Sequence, residues 1–502
     1  MQSLFAALPR PTTALGRAGM WLRRNLIFTQ SWRIRCHWLA VLGCGACAVA
    51  MVFSGLPARG ESTGNTPGAV VKNQGFLPFA GPPINYRSAE LNDPIARLEK
   101  RLESGEVSLH YDPRHGYLQA VLDALRIPVS SQTLVFSKTS FQFPDISPTA
   151  PRALYFNDDV YVGQVHAGKF LEFVSFDAKQ AAIFYVLDEQ ESSEPRFERA
   201  AVDCIQCHVA GSTRGVPGVL VKSVFTRPNG YPDAASKSFV TGHESPLNER
   251  WGGWYVTSKH GGEGGLANVT ISDPKHPEQL NTKGSTNLAT LNGRLDTSGY
   301  LTDSSDIVAV MVLAHQTQMH NLITLTNYQT RLALFADQKR NQPAGTISDA
   351  ARKQIEGPAE QLVRYLLFAN EEKLREPIEG TSGFTADFGT PGRRDAQGRS
   401  LRDFDLRTRI FKYPCSYLIY SEAFDALPEP ARTYIHRRLF EVLGGNDRSP
   451  EFSSLSSEDR RAILEILLAT KPGFPEEWQQ FSREQASTTM IAASPAAVNR
   501  QP

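Results

Sequence analysis

The residues whose types and spacing carry the clearest chemistry are five consecutive positions, Cys204-Ile205-Gln206-Cys207-His208. They form a C-x-x-C-H pattern, which is typical of covalent haem attachment. Two thiols three positions apart on one helical turn reach both vinyl groups of a haem and form thioethers, and the adjacent histidine supplies the proximal nitrogen to the iron. The pattern therefore predicts one covalent haem c, bound by Cys204 and Cys207 and ligated by His208.

Other chemistry is compatible with two thiols at this spacing. With 6 Cys and 11 His in 502 residues, chance alone gives about 0.0016 such pentapeptides per chain. Cys44 and Cys47 have the same spacing but are followed by Ala48, and we expect no cofactor there. A redox dithiol favours a βαβ context, zinc needs further ligands whereas the only later cysteine is Cys415, and an oxidising compartment would permit a Cys204–Cys207 disulfide.

The segments around the motif predict a mixed fold. Residues 132–188 contain four short aromatic and β-branched runs separated by turn clusters, which predicts an antiparallel β-meander. Asp93-Pro94 and Asp112-Pro113 each place a capping residue before a proline and predict two helices ahead of the sheet. The string WGGWYVTS at 251–258 adds a candidate strand, and helices are predicted again from Ser421 onward. The predicted class is α+β, with the meander domain preceding a mostly α-helical, cytochrome-c-like region.

A long helix predicted over 304–335, capped by Ser304 or Ser305, supplies candidates for the distal iron ligand. The first Met after His208 is Met311, much further along the chain than in small cytochromes c. Met319 is the preferred distal ligand. His315 on the same helical face, another histidine such as His260, and an open iron position remain as alternatives.

Several other residues have both a structural and a functional interpretation. Trp251 and Trp254 either pack in the core or wall a haem edge. The Pro217 carbonyl is a candidate acceptor for the proximal imidazole N–H, and Arg214 is a candidate partner for a haem propionate. The remaining predictions are structural: a hairpin turn at Asp158 and Asp159, a buried thiol at Cys415, a long loop at 376–407, and surface positions for His110, His115, His166, His243 and His276.

The N-terminal sequence predicts export. Residues 1–35 are basic with no Asp or Glu, and 36–58 form an apolar run without a charged residue. Such a run is long enough for a transmembrane anchor, or it is a cleaved signal peptide. The predicted location is therefore the bacterial inner membrane with a single N-terminal span and the main body in the periplasm, or the soluble periplasm after cleavage. The predicted organisation is a cytoplasmic segment 1–35, an anchor or signal peptide 36–58, a linker 59–90, a mixed domain 91–200, a haem-binding helical region 201–480 and a disordered tail 481–502.

Longer stretches of the chain resemble a known group of proteins. The pentapeptide is similar to that of c-type cytochromes, which implies covalent haem and electron transfer. FSKTSFQ, PRALYFNDDVYVG, TRGVPGVLVKSVF, ERWGGWYVTSKHG, AHQTQMHNLIT and FKYPCSYLIYSEAFDALP resemble segments of a family of exported bacterial proteins that carry one such motif. The resemblance covers most of residues 90–470 and implies no particular reaction.

Three functions follow from these predictions. The first is a periplasmic cytochrome that transfers electrons to a redox partner. The second is a peroxidase-like haem oxidoreductase that acts on a small molecule at an open iron position. The third is a sensor or structural domain. The net charge of about +1, from 53 Lys and Arg against 52 Asp and Glu, argues against a nucleic-acid partner.

Overall fold

The computed structural model describes residues 77–200, 204–260, 265–343 and 345–483, which belong to one compact unit. The fold is α+β, as predicted. The strands are β1 (Thr133–Val135), β2 (Arg152–Phe156), β3 (Val160–Gln164), β4 (Phe170–Asp177), β5 (Ala181–Asp188), β6 (Phe197–Arg199), β7 (Val221–Val224), β8 (Ser238–Thr241) and β9 (Trp254–Tyr255). The helices are α1 (Pro94–Glu103), α2 (Leu118–Leu125), α3 (Ile205–His208), α4 (Ile307–Lys339), α5 (Asp349–Leu366), α6 (Phe384–Gly389), α7 (Glu422–Asp425), α8 (Glu429–Leu443) and α9 (Ser457–Thr470).

The main sheet has seven strands in the order β6-β5-β4-β3-β2-β1-β9, and every neighbouring pair is antiparallel. Strands β1 to β6 follow one another along the chain, so the predicted meander is confirmed. The predicted strand at 251–258 is confirmed as β9, which pairs with β1. Strands β7 and β8 form a separate two-stranded sheet.

One face of the main sheet is covered by the two N-terminal helices. Ile95 and Leu98 of α1 and Leu118 and Val121 of α2 belong to a core cluster with the inward side chains of the sheet, such as Phe173. The Asp93 carboxylate accepts hydrogen bonds from the backbone N–H groups of the first turn of α1, which confirms the predicted cap. Helix α2 begins at Leu118, later than predicted, because Asp112 pairs with Gly116 in a turn.

The other face of the sheet packs against α4, which is buried around nearly its whole circumference. His320 stacks on Phe176 of β4 with ring centroids 3.7 Å apart, and Gln316 donates to the Tyr161 hydroxyl at 2.9 Å. The predicted helix is confirmed, but its cap is Asp306 and neither Ser304 nor Ser305. Helix α5 has no counterpart among the predicted elements, and α6 lies within the predicted loop 376–407.

The predicted membrane location is corrected by the structure. Within the described ranges, no helix combines the length and the apolar character needed to cross a bilayer. The prediction of a single N-terminal span with the main body in the periplasm fell on residues 36–58, which lie outside the described residues. The basic segment 1–35, the linker as far as residue 76 and the tail from residue 484 also lie outside them.

Candidate haem-attachment site

The C-x-x-C-H motif forms one helical turn. Cys204 is the N-terminal neighbour of α3, and its carbonyl accepts the backbone N–H groups of Cys207 at 3.2 Å and His208 at 3.0 Å. Cys204 is half-buried against the core, Cys207 is exposed, and the two are not joined in a disulfide. Since positions three apart on a helix lie on the same side, the two cysteines share one side of this helical turn.

His208 is held by a reciprocal pair of hydrogen bonds with Gly218. The ring Nδ1 lies 2.8 Å from the Gly218 carbonyl oxygen, and the Gly218 N–H donates to the His208 carbonyl at 3.0 Å. A carbonyl oxygen only accepts, so Nδ1 carries the proton and Nε2 presents its lone pair. Within the described part of the chain, Nε2 has no hydrogen-bond partner. The predicted acceptor Pro217 is therefore wrong by one residue.

The segment between these two residues is a tight loop built around Thr213. The buried Thr213 hydroxyl donates to the Val216 carbonyl at 2.9 Å and accepts from the Ala210 N–H at 3.0 Å. Arg214 and Gly215 both have positive φ angles, 59° and 73°, which turn the chain back toward His208. The loop therefore fixes the Gly218 carbonyl at a set distance from the imidazole.

Asn321 of α4 anchors the far end of this loop. Its fully buried amide accepts from the Val219 N–H at 3.1 Å and donates to the Val219 carbonyl at 2.7 Å. Gly218 lies directly against this amide, and a Cβ at position 218 would stand about 2.1 Å from Asn321 Oδ1. A glycine is therefore required where the loop meets the helix.

The sheet supplies the other surroundings of His208. The imidazole lies against Phe184 of β5, with ring centroids 4.8 Å apart at 48°. Burial lowers the pKa of His208, the Gly218 hydrogen bond opposes that shift, and the nearby charges of Arg152 and Glu172 act in opposite directions. The neutral imidazole, which is the form that ligates a metal, is therefore the stable form at neutral pH.

The candidates for the distal iron ligand lie outside the loop between His208 and Gly218. Met319 is fully buried in the main core cluster. It precedes Asn321 by two residues on α4, so at 3.6 residues per turn the two positions are about 200° apart around the helix axis. His315 is also fully buried, and both its ring nitrogens are engaged, with His243 Nδ1 at 2.9 Å and Ser416 Oγ at 2.8 Å. His260 is largely exposed beside Glu379. The assignment of Met319 as distal ligand stays a prediction.

His243 corrects a second expectation. It was predicted at the surface, but it is 1% exposed and stacks against Tyr365 with ring centroids 4.0 Å apart. Burial lowers the pKa of His243 to about 4 and that of His315 well below its usual value. The His243–His315 hydrogen bond is thus a contact between two neutral rings inside the protein.

The remaining candidate residues have structural contacts. Trp251 and Trp254 are buried in the main core cluster, and Trp254 Nε1 donates to the Lys222 carbonyl at 2.8 Å. Arg214 donates to Gln361 at 3.4 Å. The predicted hairpin turn at Asp158 and Asp159 is confirmed between β2 and β3, and the predicted buried thiol is confirmed because Cys415 is fully buried.

Neither a metal cluster nor a relative adds to this picture. Across residues 77–200, 204–260, 265–343 and 345–483, no group of three or more His, Cys, Asp or Glu side chains is placed to hold a metal ion. No family model, curated protein or solved structure matches the chain.

Proposed function

We propose that this protein is a c-type cytochrome that binds one haem covalently through Cys204 and Cys207 and transfers electrons. The observation that carries the proposal is the His208–Gly218 pair, because it fixes the tautomer of a histidine that directly follows two thiols on one helical turn. When bound, the haem supplies the one-electron couple of its iron.

The chain's own residues fit the tasks that this function sets. Gly218 accepts the Nδ1–H of His208, which orients the ring and increases the basicity of Nε2. The half-buried Cys204 and the exposed Cys207 leave one edge of the site inside the core and one edge toward solvent, where a redox partner can approach. Asn321 and the Thr213 loop hold the acceptor carbonyl in place.

A second candidate function is a peroxidase-like haem oxidoreductase acting on a small molecule. It is favoured by the placement of the predicted distal ligands, since His315 has both ring nitrogens engaged and Met319 is enclosed in the core. An iron with no sixth protein ligand would be open to substrate.

Optical spectra of the purified full-length protein separate the two functions. The electron-transfer proposal predicts a low-spin ferric spectrum that cyanide does not change. A high-spin spectrum that shifts on adding cyanide or peroxide would favour the oxidoreductase and overturn the electron-transfer proposal.

A further inference from the structure

The face of the main sheet that carries Phe184 is covered unevenly. At the Phe176 end of this face, α4 covers the sheet, and Phe176 stacks on His320. Next to His208 the cover is incomplete, and three apolar side chains on this face remain half-buried. We call these three residues the open strip; they are Leu154 of β2, Val174 of β4 and Val186 of β5.

The strand register places the open strip beside the motif. Val174 pairs directly with Phe184, the residue under the His208 ring, and Val186 is two positions further along the same face of β5. Leu154 pairs with Gly163 of β3, and Gly163 in turn pairs with Glu172 of β4, whose Oε2 would lie 3.5 Å from a Cβ at position 163. Val174 and Val186 therefore lie beside the proximal histidine, and Glu172 and Gly163 stand between Val186 and Leu154 on the same face.

Arg152 stands at the end of this surface with most of its hydrogen-bonding capacity unused. Its side chain is 18% exposed, and within the described residues its one hydrogen bond is from Nη1 to Glu172 Oε2 at 2.8 Å. Its Nε is enclosed and has no acceptor among the described residues, which is also true of Nε in Arg214; Arg152 differs from Arg214 in lying on the sheet face that carries Phe184. A guanidinium has five N–H donors, and Arg438, by contrast, makes four hydrogen bonds to carboxylates.

Glu172 is already fully engaged and fixes the direction of the guanidinium. Its Oε1 accepts from Ser140 Oγ at 2.7 Å and Gln142 Nε2 at 3.1 Å, while Oε2 accepts from Arg152. The remaining N–H groups of Arg152 are therefore available to a further acceptor, and carboxylates match the guanidinium geometry.

We propose that the open strip is the wall against which the porphyrin of the attached haem lies, and that Arg152 is the positioning residue that binds its propionate carboxylates. This inference rests on the proposed function. It assigns to the sheet, and to Arg152 in place of the predicted Arg214, the contacts that hold the cofactor.

Reduction potentials of paired charge variants test the role of Arg152. Removing a cation near the haem favours the ferric form, which carries one more positive charge, so Arg152→Gln lowers the midpoint potential. We expect a change of roughly threefold to tenfold in the oxidation equilibrium, tenfold being 59 mV for one electron. Glu172→Gln raises the midpoint potential by a similar amount. If the two substitutions acted only by disturbing the structure of the site, both variants would shift the midpoint potential in the same direction.

Two results of the redox titration would overturn the assignment. Unchanged potentials in both variants, or a shift in Arg214→Gln with none in Arg152→Gln, would show that Arg152 does not meet the propionates. A wild-type protein without covalent haem would refute the proposed function itself, and this outcome is separate because haem content is measured before the titration.

Thiol labelling tests whether the porphyrin covers the open strip. In haem-loaded Val174→Cys protein the new thiol is shielded, and it reacts at least tenfold faster when Cys204 and Cys207 are both replaced by Ser. Lys179→Cys, an exposed position in the turn between β4 and β5, reacts equally in both backgrounds, and the buried Cys415 stays protected as the check on folding. Equal labelling of Val174→Cys with and without haem would refute the wall. If Cys415 reacts in the haem-free protein, the comparison is made in the haem-loaded protein alone, where Val174→Cys must react at least tenfold more slowly than Lys179→Cys.

Discussion

The Nδ1 atom of His208 and the carbonyl oxygen of Gly218 are 2.8 Å apart, and the Gly218 N–H returns a hydrogen bond to the His208 carbonyl. This pairing across the loop decides which nitrogen of the imidazole carries the proton. The backbone carbonyl at position 218 therefore orients the proposed iron ligand.

The space around Gly218 gives the first prediction. Gly218→Ala destabilises the protein by about 1 to 3 kcal/mol, because the new methyl group overlaps the Asn321 amide that holds Val219. Urea denaturation measures the loss. Gly211→Ala is the matched control in the same loop, since nothing lies within 4 Å of a Cβ there; equal stabilities of the two variants would contradict the close contact.

The two motif cysteines give the second prediction. Cys204→Ser or Cys207→Ser removes one thioether, and the protein loses haem that survives a denaturing gel. Cys415→Ser keeps the stain, because Cys415 is a buried thiol outside the motif. Haem staining that persists in a Cys204→Ser, Cys207→Ser double variant would disprove attachment at these residues.

Met319 gives the third prediction. If its sulfur is the distal ligand, the ferric protein shows the weak Met-to-iron charge-transfer band, and Met319→Leu loses it. Leucine conserves most of the volume at this fully buried position, so the core tolerates the change. A spectrum that is identical in wild type and Met319→Leu rules out the assignment.

The stack of His320 on Phe176 gives a prediction on pH. Burial lowers the pKa of His320 to about 4, so the folded state keeps it neutral while the unfolded state binds a proton below about pH 6.5. Its contribution to stability is therefore complete above about pH 6.5 and is lost as the pH falls toward 4, by at most about 3 kcal/mol.

Denaturation of wild type and His320→Gln at a series of pH values isolates this contribution. Burial raises the pKa of Asp159, Glu189 and Glu371 to about 7, which has the opposite effect on the pH dependence but is common to both proteins. The stability difference between wild type and variant shrinks on acidification. A difference that stays constant from pH 7 to pH 4.5 would contradict a neutral buried His320.

The features that the sequence predicted correctly are those that residues close together in the chain determine. The meander followed from alternating strands such as Leu171 to Phe176 separated by polar turns, and α1 followed from the Asp93 cap. The motif itself needed only five consecutive residues. These features are encoded within short segments, so neighbouring positions suffice to recognise them.

The features that the sequence did not predict depend on tertiary packing. His243 sits in a polar segment, yet Tyr365 and His315, distant in sequence, enclose it. The accepting carbonyl moved from Pro217 to Gly218 because the positive φ angles of the loop set its register. Arg152 of β2 reaches Glu172 of β4, on the sheet face that His208 contacts, only through the pairing of strands β2 to β5.

The most direct test of the central claim is the intact mass and iron content of the full-length protein produced in cells with a working haem c maturation system. The account predicts a chain heavier by one haem, with one iron per protein and thioether bonds at Cys204 and Cys207. A colourless, iron-free product with the mass of the bare polypeptide would contradict it.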